Sequence, residues 1–220
     1  MIKLEHVVFE SSDQMEFIIE GMRNPMNSWE NSDSYKNFEV DYDEEPGVEI
    51  RYPYYRVGAG DFSLMQKLSK AGTDHRKFMR MMPVYVRITA PFYWWKEFDT
   101  YKVGTVANSC STMHKIAAKE FTVDDFSTEH LISDSNAMMK TTCDLLNQYR
   151  EKYLKTKDKK YWLQMIQLLP SSYNQTRNVM MNYEVLANIY KSRKDHKLDE
   201  WRDFCKWIET IPYSELIIGE

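Results

Sequence analysis

The chain has 220 residues, 43% hydrophobic and 28% charged, with 29 Lys and Arg against 33 Asp and Glu. A formal net charge of −4 provides no overall positive field to draw nucleic acid or an anionic membrane, so any anion must be met by a local basic cluster. The three cysteines, Cys110, Cys143 and Cys205, are odd in number and far apart, which fits reduced thiols in a cytoplasm better than a disulfide framework.

Residues 2–9 alternate as a strand does, and Ser11, Ser12 and Asp13 offer N-caps for a helix through Gly21. The polar stretch 24–37 has no clear period and reads as a loop. Residues 38–43 and 48–55 flank Glu44, Glu45, Pro46 and Gly47, a turn signal that predicts a hairpin with one acidic arm. Asp61 is expected to cap a helix carrying Phe62, Leu64, Met65 and Leu68 and ending at Gly72. Thr73 and Asp74 then cap a short helix over 75–82.

In PVYVRITA, which starts at Pro83, Val84, Val86 and Ile88 alternate with Tyr85, Arg87 and Thr89, the clearest strand in the sequence. Pro91 opens a compact aromatic helix, PFYWWKEF, which Gly104 breaks; its Trp94–Trp95 pair reads as core. The remainder reads as helices over 136–154, 159–169, 173–192 and 198–210, punctuated by Pro170 and Pro212. In the last helix Leu198, Trp201, Cys205 and Ile208 share one face. No repeat, low-complexity tract or linker divides the chain, so one domain over 1–220 is expected.

The N-terminus carries charges within its apolar stretch and no small-residue cleavage site, and the window around 83–95 is interrupted by Arg87. The expectation is a cytoplasmic protein with neither membrane nor nucleic acid as partner. The five histidines are scattered and no Cys–His spacing announces a metal.

The stretch WWKEFDTYKVGTVANSCSTMH resembles the segment of flavin-dependent thymidylate synthases built around Arg-His-Arg, seven residues and a serine. With residues 101–103 at the Arg-His-Arg position, Asn108 falls on the family's asparagine and Ser111 on its serine; one residue earlier, Cys110 replaces the serine. The stretch LLPSSYNQTRNVMMNYEVLANIYKSRKDHKLDEW is similar to the family's C-terminal pattern, with Leu169–Pro170, Asn182, Leu186, Asn188 and Arg193 in register. AGTDHRKFM is loosely similar to the family's Gly-His-x-Ser helix start, and the resemblance spans about 61–211.

The resemblance implies an α+β fold, with a mixed or antiparallel sheet flanked by helices and a helical C-terminal half. It also implies a homotetrameric flavoprotein that uses FAD to methylate C5 of a pyrimidine nucleotide such as dUMP. On this reading Arg193 is catalytic, Tyr101, Lys102, Asn182 and Asn188 hold the cofactor, and Asn108 and Ser111 hold the substrate. No metal is implied.

The chain departs from the pattern in three places: Tyr101, Lys102 and Val103 recover neither arginine of the Arg-His-Arg signature, Ile166 replaces the arginine before the Leu-Pro, and Glu184 replaces a phosphate-binding arginine. A carboxylate at such a place repels an anionic ligand. The alternative implied is therefore a non-catalytic binding or assembly protein that keeps the fold without the flavin and dUMP site. A separate cluster, His75, Arg76, Lys77 and Arg80, places Arg76 and Arg80 on one helix face, where they either meet a phosphate or pair with the acidic arm over 41–45. Cys110 and His114 lack a visible third partner for nucleophilic chemistry.

Overall fold

The computed structural model describes residues 1–42 and 49–219. The turn expected at Glu44–Gly47 lies outside the described residues.

The chain opens with β1 (Lys3–Val8) and α1 (Ser12–Arg23). Ser11 caps α1 in a capping box, its hydroxyl accepting from the Gln14 N–H while the Gln14 side chain takes the Ser11 N–H. Met15, Ile18, Ile19 and Met22 then fall on one buried stripe. Two short 3-10 turns cross the segment read as a loop, which ends early because β2 (Tyr35–Tyr42) begins within it. β2 pairs antiparallel with β3 (Glu49–Arg56), Tyr35 opposite Arg56 and Phe38 opposite Pro53, as a separate two-stranded ribbon.

The helix α2 (Ala59–Lys70) corrects the assignment of Asp61 as its cap: the N-cap is Gly58. The first-turn N–H groups are met from outside by the Asp33 carboxylate, which accepts from Gly60 at 2.8 Å and Asp61 at 3.0 Å. These bonds hold the Asp33 carboxyl below its ordinary range. Asp61 is instead fully buried and accepts from Arg23 Nε at 2.6 Å and from the Ser32 and Ser34 hydroxyls, each at 2.6 Å. That network ties the 24–34 segment to α2.

The expected helix over 75–82 shortens to α3 (Phe78–Met81), preceded by a turn. β4 (Pro83–Pro91), the predicted strand, runs into α4 (Phe92–Phe98), the aromatic helix. A strand not anticipated, β5 (Val106–Ser109), precedes α5 (Thr112–Lys115), α6 (Ser133–Thr156) and α7 (Lys159–Leu168). The helix read over 173–192 is in fact β6 (Asn174–Asn182) followed directly by α8 (Tyr183–Arg193). α9 (Asp199–Ile208) and α10 (Glu215–Ile218) close the chain.

The main sheet has the order β1-β4-β6-β5 and is antiparallel at every pairing. β4 and β6 pair along nine residues each, from Pro83 opposite Asn182 to Pro91 opposite Asn174. One face, carrying Val84, Val86, Ile88, Val179 and Met181, is buried under α1, α4, α8 and α9. Trp94 and Trp201 meet there with ring centroids 4.7 Å apart, and Trp94 and Trp95 at 4.9 Å, so the tryptophan pair is core. Each such aromatic contact adds about 0.5–1.5 kcal/mol beyond area burial. A second apolar cluster, with Ile116, Phe121, Phe126, Leu146 and Met165, lies beneath α6 and α7.

Candidate functional site

Helix α8 begins where the strand pattern of β6 ends, because the Asn182 side chain accepts from the Val185 N–H at 3.0 Å and caps it. Against that cap lies Gly104, with φ of +79°; a Cβ there would stand 2.8 Å from the Asn182 amide nitrogen. Only a residue without a side chain adopts this backbone and permits this approach.

At the other end of α8, Arg193 donates from Nε to the Tyr101 hydroxyl at 3.0 Å and from Nη1 to Glu97 at 2.7 Å. Its guanidinium carbon lies 4.8 Å from the Trp201 ring centroid. Glu97 also accepts from Trp201 Nε1 at 3.0 Å and faces His196 Nε2 at 3.5 Å. The segment 101–104 therefore runs along α8, with Tyr101 at the Arg193 end and Gly104 at the Asn182 end. Lys102 and Val103 project outward from it, Val103 with 92% of its surface exposed.

Glu184 lies elsewhere on the helix. Nine residues separate it from Arg193, about half a turn out of phase, so the two side chains leave opposite sides of α8. Arg76 Nε donates to Glu184 at 3.2 Å, and Arg80 donates to the same carboxylate from Nε and, at 3.2 Å, from Nη2. Burial alone pushes the Glu184 carboxyl up, but the hydrogen bonds and charges of Arg80 and Arg76 outweigh it and hold it below the ordinary range. The basic cluster expected near residue 76 thus grips Glu184, and the acidic substitution carries its own counter-cations. Asn188 belongs to this side, its amide oxygen 3.5 Å from Arg76 Nη2.

A cleft of about 570 Å³ opens beside the loop 109–113, with Phe92, Ile166 and Leu169 on its walls and Gln175 and Arg177 among its lining residues. Gln175 Nε2 donates to the Cys110 carbonyl at 3.0 Å and the Thr112 hydroxyl at 3.2 Å, fixing the loop. Arg177 donates to Gln175 Oε1 at 2.9 Å and to Asp99 at 2.7 Å, with its guanidinium 4.1 Å from the Trp95 ring centroid. Ser111 lines this cleft, but its hydroxyl accepts from the His114 N–H at 3.1 Å as the cap of α5. Asn108 sits exposed on β5, opposite Asn178.

Of the seven residues singled out in the sequence, Tyr101, Lys102, Asn182 and Arg193 are gathered along the α8 strip. Asn188 lies on the Glu184 side, and Asn108 and Ser111 belong to the β5–α5 edge. Glu97, Gln175 and Arg177 were missed. Glu97 is the only acid in a helix whose other residues are aromatic apart from Lys96, a signal in itself. Gln175 and Arg177 become visible only when 174–182 is read as a strand, because they then share the inward face with Val179 and Met181.

These features define an α+β protein with a four-stranded antiparallel sheet covered on one face by helices, and an arginine-bearing helix that leaves directly from a central strand. That fold is the one of flavin-dependent thymidylate synthases. The chain is similar to thymidylate synthase X (ThyX) from Helicobacter pylori, solved with FAD and dUMP, at a TM-score of 0.65 and 14% identity, over 99% of this chain and 97% of that one. It is similar to a second structure of the Helicobacter pylori enzyme complexed with FAD and dUMP at a TM-score of 0.63 and 14% identity, over 99% and 98% of the two chains. No family model matches the sequence, and no curated protein matches it. Among the described residues no helix is long and apolar enough to cross a membrane, and no three His, Cys, Asp or Glu side chains are gathered as a metal site requires.

Proposed function

We propose that this chain, as one domain over 1–220, is a thymidylate synthase-like flavoprotein that holds FAD along the α8 strip. On this reading it methylates C5 of a pyrimidine nucleotide such as dUMP, bound near Asn108 and Ser111. The observation that carries the reading is the convergence of Tyr101, Lys102, Asn182 and Arg193, drawn from segments some eighty residues apart, on one strip of one helix. It occurs in a fold whose solved examples contain FAD and dUMP.

The residues present fit a flat anionic group. Tyr101 offers a ring and Lys102 an exposed cation, and Gly104 lets the segment that carries them lie directly against the Asn182 cap. When bound, the flavin supplies hydride. The chain's own part is to orient and to neutralise: Arg193, fixed by Glu97 and Tyr101, bears on negative charge developing on the pyrimidine. Lys102 replaces a bidentate arginine fork with a point charge, which lowers geometric selectivity for the ligand. Assembly is as a cytoplasmic homotetramer, with the strip facing a neighbouring copy.

A second reading, a binding or assembly protein without this chemistry, is favoured by one observation. Two arginine donors on Arg193 and the carboxylate of Glu184 already have partners within the chain. The absorbance spectrum of the freshly purified protein separates the two. Bound flavin gives a band at about 450 nm, and added FAD raises the melting temperature of the stripped protein. A colourless protein whose melting temperature ignores saturating FAD and dUMP establishes the second reading instead.

A further inference from the structure

The net charge of −4 hides a strong segregation. Between residues 150 and 160, Arg150, Lys152, Lys155, Lys157, Lys159 and Lys160 stand against only Glu151 and Asp158, giving +4 there and −8 over the rest of the chain. This stretch is the tip of the α6–α7 hairpin, turned by Lys157, whose φ of 57° lets its N–H reach the Tyr153 carbonyl at 2.8 Å. Among the described residues Lys152, Lys155, Lys157 and Lys159 make no ion pair, and all four are exposed. Lys155 and Lys157 suit the C-terminal end of α6, where the helix dipole favours cations. Lys159 and Lys160 open α7, where the dipole opposes them, and Asp158 alone offsets that end by capping the Lys160 N–H at 3.0 Å. Helix electrostatics therefore account for Lys155 and Lys157 but not for Lys159 and Lys160.

Aromatic rings are interleaved with these charges. Tyr149 and Tyr161 stack at 6.4 Å with Lys152 near both, and Lys157 lies over Tyr153 at 5.8 Å. Beside them a pocket of about 310 Å³ opens between α5 and the hairpin, with Tyr153 and Trp162 in its wall and His114, Lys157 and Lys159 among its lining residues. Trp162 is held there by its Nε1–H bond to the Met113 carbonyl at 3.0 Å. The pocket is at the small end of ligand sites, large enough for one base rather than for a dinucleotide.

We propose that this pocket binds a nucleotide unit, an aromatic base stacked between Tyr153 and Trp162 with its phosphate on Lys157 and Lys159. The unit is carried either by single-stranded nucleic acid, whose next phosphates reach Lys155 and Lys152, or by a free nucleotide. Sequence-tolerant single-strand sites combine stacking rings with a basic track in this way. The site is separate from the α8 strip and stands whether or not the chain binds flavin.

The test uses the full chain and a fluorescently labelled ten-residue oligothymidylate, read by anisotropy, with dTMP as competitor. With three phosphates engaged, affinity falls about twentyfold between 50 and 200 mM salt, from a slope of about −0.7 per contact. The triple variant K155Q/K157Q/K159Q loses most of the binding and most of that slope, while K67Q/K70Q on α2 changes neither. Displacement by dTMP at concentrations comparable to the oligomer assigns the free nucleotide as the natural form, and displacement only at great excess assigns the single strand. Three results overturn the proposal: no binding at 50 mM salt, binding undiminished in the triple variant, or equal affinity for an abasic deoxyribose-phosphate oligomer.

Discussion

Replacing Arg193 by Ala removes a cation that touches three partners at once: the Tyr101 hydroxyl at 3.0 Å, Glu97 at 2.7 Å and the Trp201 ring at 4.8 Å. A solvent-exposed pair contributes about 0–1 kcal/mol, and breaking a fully buried one costs about 3–5 kcal/mol. With 20% of the Arg193 side chain and 35% of the Glu97 side chain exposed, this pair falls between the two limits. The cation–π contact adds roughly 0.5–2 kcal/mol. Glu97 keeps the Trp201 N–H and His196 as neighbours, which limits the loss. The expected cost is roughly 2–4 kcal/mol, and for a chain of this size each kcal/mol lowers the melting temperature by about 2–4 °C. Ligand-free R193A should therefore melt roughly 5–15 °C below the parent by circular dichroism, and a cycle with E97A should show a coupling of about 1–2 kcal/mol. An R193A protein that melts within about 2 °C of the parent refutes the clasp as a structural element and leaves Arg193 with a ligand-facing role alone.

Glu184 contributes through a depressed pKa, so its stabilisation is present above the unfolded carboxyl value of about 4.3 and is lost as pH falls through the folded one. The gap in melting temperature between the parent and E184Q should be full near neutral pH and close in acid; a gap constant down to about pH 3 contradicts the ion-paired geometry. Cys205 is buried, which pushes its thiol up to about 12, and burial also raises Cys143, whereas Cys110 is exposed. An aromatic disulfide reagent at mild pH should titrate one thiol in the native protein and three after denaturation, and two fast thiols would be incompatible with this packing. Gly104→Ala meets both a positive φ and the Asn182 amide at 2.8 Å, for a loss of about 2 kcal/mol in urea unfolding. Gly72→Ala, at φ +95° with nothing within 4 Å, should lose less; equal losses would mean that the Asn182 cap is untouched.

Local signals in the chain were reliable where one principle acted alone. The caps offered at residues 11–13 and the alternation from Val84 to Ile88 each describe a single element against a single core face; Ser11 took the cap and the strand formed as read. The segment 173–192 misled because two periods meet in it. Val179 and Met181 alternate as a strand, Val185, Leu186 and Ile189 repeat as a helix, and the apolar residues merge across Asn182 into an apparent continuous stripe. Asn182 marks the junction, yet an asparagine inside an assumed helix gives no sign that it is a cap. β5 escaped notice because four exposed residues carry no alternation.

Composition, hydrophobic period and cap chemistry in the sequence alone determined the opening strand and helix, the inward-facing β4 strand and the tryptophan core, and the motif stretches around Asn108 and Asn182 carried a resemblance whose implied fold the structure has. Only the tertiary structure decided which charges meet. Arg23 with Asp61, Arg193 with Glu97, and Glu184 with Arg76 and Arg80 join residues 38 to 108 positions apart, two of the pairs through residues whose local setting predicted something else. Pairing at that range depends on where helices dock on the sheet, and docking is set by the shape of the buried face rather than by anything adjacent in the chain.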